Sequence, residues 1–147
     1  MSSGTGRSGG PGSNEILAID LPLDITAVEA ARQAVMGLLA PLKIDEMLLN
    51  RIEVVLEELV SNVVRHADEV RELRVEAEVG DRMLRLAIID DGAAFDPLVV
   101  PEKDPYTDLE LALPGGQGIP LVRRLTREVR YARSGGRNRL SCALDLA

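Results

Sequence analysis

The sequence predicts an α+β two-layer sandwich, in which a mixed, mostly antiparallel sheet carries its helices on one face. Three observations lead there. Two pairs of strand-like segments are joined by short glycine-containing turns, at Gly80-Asp81 and around Ser134-Gly135-Gly136, and hairpins make antiparallel neighbours. Two segments with apolar residues at helical spacing stand between the first strand and the first hairpin, and a short one precedes the last hairpin. Leu73, Val75, Ala77 and Val79 alternate with charged residues, so that strand has one wet face and only the other needs a covering layer.

Taken in order, residues 1–14 are rich in Gly and Ser with almost no apolar content and read as a disordered tail; 15–147 read as one domain. Glu15 to Leu23 alternates as a strand. Ile25 to Ala40 places Val28, Ala31, Val35 and Leu38 on one helix face, and Pro41 follows its end. Asp45 is placed to cap a second helix running to about Ala67, with an apolar stripe of Leu48, Ile52, Val55, Leu56, Leu59 and Val63. Strands are expected at Glu72 to Val79 and Arg82 to Ile89. Between 90 and 117, four prolines and three glycines interrupt any regular element, and a loop of that length in a small domain is usually functional or mobile. Gly118 to Leu125 reads as a short helix, and Glu128 to Ala132 and Arg139 to Leu146 as the last strand pair.

Composition narrows the function. The chain has 147 residues, enough for one core. Its net charge of −7 argues against a nucleic-acid binder, which would carry a basic stripe. Phe95, Tyr106 and Tyr131 are its only aromatics, too few for a base-stacking platform. No run of 18 apolar residues offers a membrane span, and the N-terminus has no apolar secretory core, so the expected location is cytoplasmic. Cys142 is alone and His66 is the only histidine, which leaves no internal disulfide and a poorly supplied zinc site. A metal, where one is used, is expected to be a hard cation held by oxygen and by a phosphate ligand.

Three segments carry candidate chemistry. In VLEELVSNVVRHA, Glu58 and Asn62 are four apart and share a helix face that His66 continues. An amide oxygen can ligate Mg²⁺, and a carboxylate can accept a proton or orient a water. Taken alone, such a pair is more often a solvated face; here Glu57 and Glu58 flank the apolar stripe rather than oppose it. In IIDDGAAFDP, a strand ends at Asp90 and the chain turns at Gly92. An Asp at a strand end can accept from an exocyclic amine, and a glycine lets the backbone approach a ligand; a plain Asp-Gly turn reads equally well. Phe95 is expected to pack under this turn. In PGGQGIPLVRRL, Gly115, Gly116 and Gly118 lead into a helix N-terminus, which presents free N–H groups to phosphate. There is no Gly-Lys-Ser/Thr, so it is not a P-loop, and it does not follow a strand, so it is not a dinucleotide fingerprint.

Together these segments resemble the N box and the two glycine boxes of the GHKL ATPases, and most of all the anti-sigma-factor serine kinase branch. The matching residues are Glu58, Asn62, His66 and Ala67; Asp90, Gly92, Phe95, Asp96 and Pro97; and Gly115, Gly116, Gly118, Ile119, Leu121 and Val122. The closing GRNRLSCAL is similar to the family's last strand, and the likeness extends over roughly 15–147. It implies the Bergerat, or histidine-kinase-like ATPase, fold and the cofactors ATP and Mg²⁺. It implies that Glu58 is the general base toward an acceptor serine and that Asn62 is the Mg²⁺ ligand. Asp90 would bind the adenine amine with Gly92 beside it, and Gly115, Gly116, Gly118 and Ile119 would border the phosphates at a lid spanning 96–117. Ser141 would supply a hydroxyl near the adenine. His66 belongs with the cofactor-binding positions but is read as hydrogen-bonded rather than catalytic.

Two departures stand out. Ala94 replaces a glycine often present in the first glycine box, and Glu57 sits beside Glu58, which is preferred because it faces Asn62. The resemblance implies a protein-serine kinase and anti-sigma factor that phosphorylates a serine on an anti-anti-sigma protein of the STAS type. A sigma factor and a second copy of the chain are further candidate partners. Two other readings stay open: a module that binds ATP only to shape a sequestering surface, and a stand-alone ATPase, which a chain this short serves less well. No histidine-bearing dimerisation helix precedes the domain, which argues against a complete sensor histidine kinase.

Overall fold

The computed structural model of the protein describes residues 6–8, 15–66, 69–99 and 118–146. Helical spacing in the first half produces two helices, α1 (Ala27–Leu39) and α2 (Glu46–Arg65). Helix α1 turns Ala27, Ala31, Val35, Leu38 and Leu39 inward, and Pro41 follows within a single 3₁₀ turn, Ala40–Leu42. Asp45 caps α2 as its position suggests: its side chain accepts from the Met47 N–H at 2.7 Å. Ile52, Val55, Leu56, Leu59, Val60 and Val63 line the buried side of α2. Each such side chain stabilises the fold by roughly 1.5–3 kcal/mol relative to leaving it in water. Arg32 ties the two helices together, pairing with Glu29 on α1 and reaching Glu53 on α2 at 3.1 Å.

The strands are β1 (Gly6–Ser8), β2 (Glu15–Leu21), β3 (Leu73–Gly80), β4 (Met83–Asp90), β5 (Glu128–Ser134) and β6 (Arg137–Asp145), and helix α3 (Gly118–Leu125) precedes β5. They form one sheet in the order β1-β2-β3-β4-β6-β5. The hairpin turns need positive φ, which β5–β6 obtains from Gly135 and Gly136 and β3–β4 takes at Asp81 and Arg82. The second turn therefore lies one residue beyond Gly80-Asp81.

Every described pairing is antiparallel, where a mixed sheet was an open expectation. The reason lies in the second crossover. Strand β5 runs in the same direction as β4, but β6 folds back between them and pairs with both, so no parallel pair forms. Residues 6–8 also depart from the expected tail. They pair with Ala18, Leu17 and Ile16, where β2 would otherwise leave a row of unpaired backbone groups.

Alternation sorts the two sheet faces. Leu17, Ile19 and Leu21 on β2, Leu73, Val75 and Ala77 on β3, Leu84, Leu86 and Ile88 on β4, and Leu140, Cys142 and Leu144 on β6 turn toward the helices and form the core with them. The opposite face carries Arg74, Glu76, Glu78, Arg85 and Arg139, so one layer of helices suffices. Cys142 is 3% exposed, and burial pushes its thiol up to about 12. We therefore expect a disulfide reagent at neutral pH to label it about 1,000-fold more slowly than an unstructured cysteine, since the thiolate is the reacting form. Labelling in the native protein at the rate seen in denaturant would contradict this packing.

Candidate functional site

A cavity of about 430 Å³ opens where the C-terminal half of α2 meets the ends of β4 and β6. Four expected residues meet in it: Asn62 and His66 from α2, Asp90 from the last position of β4, and Gly92 from the turn that follows. Its apolar walls come from Val63, Val70, Ile88 and Leu140, giving the mostly apolar lining with a few polar groups that suits a small ligand.

Asp90 is the best-defined group. It is 8% exposed, and its Oδ1 accepts from the Gly92 N–H at 2.9 Å and from Asn138 Nδ2 at 3.1 Å. No described group donates to its Oδ2. The neighbouring Asp91 turns the other way and accepts at Oδ1 from the backbone N–H groups of Arg71 and Glu72, at 2.8 and 2.9 Å. Bonds from Glu72 and Arg71 hold its carboxyl below the usual carboxylate range. That bond pair fixes the segment leading into β3 against the turn.

Gly92 is required by space. A Cβ there would lie 2.8 Å from Val70 Cγ2 and 3.0 Å from Asp90 Oδ1. Substitution Gly92→Ala is thus expected to push either the cavity wall or the Asp90 carboxylate out of place. It should cost about 1–3 kcal/mol of stability, as overpacking does, together with ligand affinity. Thermal melts and titrations of this variant matching those of the unaltered protein would show that the turn yields freely. Ala94, where the resemblance would place another glycine, lines the cavity from an exposed position.

Glu58 lies one turn before Asn62 on α2 and is partly buried, whereas Glu57 is exposed. Glu58 Oε2 is buried without a hydrogen-bond partner among the described residues, an unusual state for a carboxylate oxygen. Glu58 is not among the residues lining the cavity. His66 caps α2 and rests against Phe95, with ring centroids 5.7 Å apart. Phe95, expected beneath the turn, is instead 45% exposed, because the space under the turn is taken by Asn138.

Ser141 is a correction. The β6 alternation that turns Leu140 and Cys142 inward turns Ser141 to the opposite face, beside Ala87 and Arg130. It lines a separate pocket of about 340 Å³ there with Glu76 and Arg139, and the sheet separates it from Asp90. The inward polar position near Asp90 is Asn138, 7% exposed, which the sequence reading passed over. Its signal was available: Asn138 shares the two-residue period of Leu140, Cys142 and Leu144, so it is a polar group on a buried face. Gly118 opens α3, and Ile119 packs against the core. Gly115 and Gly116 lie outside the described residues, as does most of the expected lid.

A family model described as a histidine kinase-like ATPase domain matches residues 21–143, most of the chain. The chain belongs to that family. Among curated proteins, the serine/threonine-protein kinase BtrW of Bordetella bronchiseptica is 31% identical over 88 residues, covering 58% of this chain and 62% of BtrW. This ATPase-domain chain also superposes on part of a chain comprising the RsbU and RsbW domains of Rv1364c from Mycobacterium tuberculosis, with a TM-score of 0.63 at 20% identity. That match covers 89% of this chain and 32% of the mycobacterial one. A chain of the SiaB-SiaC complex from Pseudomonas aeruginosa gives a TM-score of 0.57 at 13% identity, covering 87% of this chain and 88% of that one. At those identities the two structures support the fold alone. Among the described residues no helix is long and apolar enough to cross a membrane.

The residues present fit an adenine nucleotide. The cavity has room for a base, Asp90 offers a carboxylate oxygen with no hydrogen-bond partner among the described residues, and Asn62 stands at the cavity's helical side. For Mg²⁺ the cavity offers the side-chain amide of Asn62. Among the described residues no cluster of three or more acidic, His or Cys side chains gathers around a point. Magnesium commonly takes one or two protein oxygens and completes its shell with phosphate and water.

Proposed function

We propose that residues 15–147 form a single ATP-binding kinase domain that acts in the cytoplasm. It would phosphorylate a serine on an anti-anti-sigma protein of the STAS type, and so serve as an anti-sigma regulator. The observation that carries this reading is the meeting of Asn62 and Asp90 in one cavity, with Glu58 one helical turn away. The name of the relative BtrW supports the kinase assignment.

In this reading the Asp90 Oδ2 accepts from the exocyclic amine of adenine, and Ile88, Val70 and Leu140 exclude water around the base. Asn62 contributes its amide oxygen to Mg²⁺. Bound Mg·ATP supplies the transferable γ-phosphoryl and the cation that neutralises its charge. Glu58, partly buried one helical turn before Asn62, accepts the proton of the acceptor serine. Phosphoryl transfer depends mainly on positioning and charge neutralisation, which this small set of groups can provide. Gly115, Gly116 and Gly118 border the phosphates, and a sigma factor and a second copy of the chain are further partners.

The test is incubation of the purified protein and its cognate STAS partner with Mg·ATP. Serine phosphorylation is the expected result; none under conditions where Mg·ADP binds would end the kinase assignment. One observation favours a second reading, in which nucleotide binding shapes a sequestering surface without phosphotransfer: Glu58 is not among the cavity-lining residues. Sequestration of the partner by Glu58→Ala, in the absence of transfer by either protein, would support it.

A further inference from the structure

Asn138 uses both ends of its side-chain amide inside the protein. Its Nδ2 donates to Asp90 Oδ1 at 3.1 Å and to the Ala93 carbonyl at 2.9 Å. Its Oδ1 accepts from the Phe95 N–H at 3.3 Å and from the Tyr131 hydroxyl. The orientation of the amide follows from these partners, since a backbone N–H can only donate and a carbonyl can only accept. Nearby, Arg133 donates to the Gly92 carbonyl at 2.6 Å. Asn138 and Arg133 of the β5–β6 hairpin thus hold the turn from Gly92 to Phe95 through bonds that each span more than 40 residues of sequence, and Tyr131 holds Asn138.

The consequence falls on Asp90. Two donors, Gly92 N–H and Asn138 Nδ2, converge on Oδ1. The carboxylate is thereby prevented from rotating, and Oδ2 is the oxygen left for a ligand. An acceptor held in that way favours a ring substituent that donates and opposes one that accepts. The hydrogen-bonding capacity of Asn138 is spent on Asp90 and the turn, so its part is to position another residue.

We propose that Asn138, held by Tyr131, is a specificity-determining positioning residue: it orients Asp90 so that the site takes a 6-aminopurine nucleotide and refuses a 6-oxopurine. This rests on the nucleotide reading above and names a determinant of base choice within that site.

The experiment compares Mg·ADP with Mg·IDP by calorimetric titration, since the two bases differ at the group facing Asp90. The proteins are the unaltered chain, Asn138→Ala, Tyr131→Phe and the double variant. The unaltered protein is expected to prefer ADP. In Asn138→Ala, ADP affinity should fall on the order of 10-fold to 100-fold, as when a hydrogen bond to a charged group is lost. IDP affinity should fall less, so that the preference narrows. Tyr131→Phe should show the same narrowing in smaller degree, and adding it to Asn138→Ala should change nothing further, the mark of two residues acting as one unit. A merely structural role would weaken both nucleotides equally. A folded Asn138→Ala with the original ADP-to-IDP ratio overturns the proposal. Where Asn138→Ala does not melt cooperatively, Tyr131→Phe decides, and an unchanged ratio there overturns it equally. Failure of the unaltered protein to bind Mg·ADP is a distinct result: it removes the nucleotide reading itself, and this inference with it.

Discussion

Titration of Mg·ADP into Asp90→Ala is expected to give no detectable binding, and Asp90→Asn is expected to bind as poorly while remaining as stable as the unaltered protein. The two variants separate ligand recognition from folding. Alanine removes the acceptor shared by the Gly92 N–H and Asn138 Nδ2. Leaving those buried donors without a partner should cost about 1–3 kcal/mol, visible as a melting temperature lowered by several degrees. Asparagine keeps an oxygen for both donors and turns its NH₂ group into the cavity. There it would meet the adenine amine, and two donors facing each other do not bond. Its effect is thus confined to the ligand. Retention of wild-type affinity for Mg·ADP by Asp90→Asn would show that the base is not read at this position.

The second large effect is expected on turnover. In Glu58→Ala, phosphotransfer to the STAS partner should fall by roughly 10²-fold to 10⁴-fold, the usual contribution of a positioned general base. Mg·ADP affinity should stay within about twofold, because the side chain does not line the base cavity. Glu57→Ala is the internal control: Glu57 is exposed on the adjacent helix position, so both activities should persist. Loss of transfer in Glu57→Ala and not in Glu58→Ala would mean that the base was assigned to the wrong carboxylate. The buried, unpartnered Oε2 makes a second readout available. Removing it also removes an unsatisfied polar atom, so Glu58→Ala should melt no lower than the unaltered protein despite its inactivity. A large loss of stability would instead show that Glu58 has a structural partner beyond the described residues.

Much of this was legible in the chain itself, for reasons that particular residues make plain. Periodicity located α1, α2 and α3 and the strands of the two hairpins, because core-facing side chains must recur every 3.6 residues on a helix and every two on a strand. Asp45 announced the start of α2 through its cap, and Gly135-Gly136 announced a hairpin through the positive φ both adopt. Local signals also picked out Asn62, His66, Asp90 and Gly92, since a motif on a helix and a motif at a strand end each carry their own chemistry. What the sequence alone determined is therefore the three helices, strands β2 to β6, and four of the residues that meet in the cavity.

Tertiary structure decided the rest. Strand order was not readable, because only folding shows that β6 inserts between β4 and β5 and so removes the parallel pair that a crossover suggests. The misplacement of Ser141 and the oversight of Asn138 have one origin. On a strand, neighbours in sequence point to opposite faces, so a motif match that is off by an odd number of positions lands on the wrong side of the sheet. Ser141 is three residues beyond Asn138 and faces away from Asp90 for that reason. Likewise Asn138 reaches a turn 43 residues before it, a contact that no local pattern encodes. Residue type and period are properties of the chain, whereas which oxygen of Asp90 stays unpaired is a property of the packed sheet.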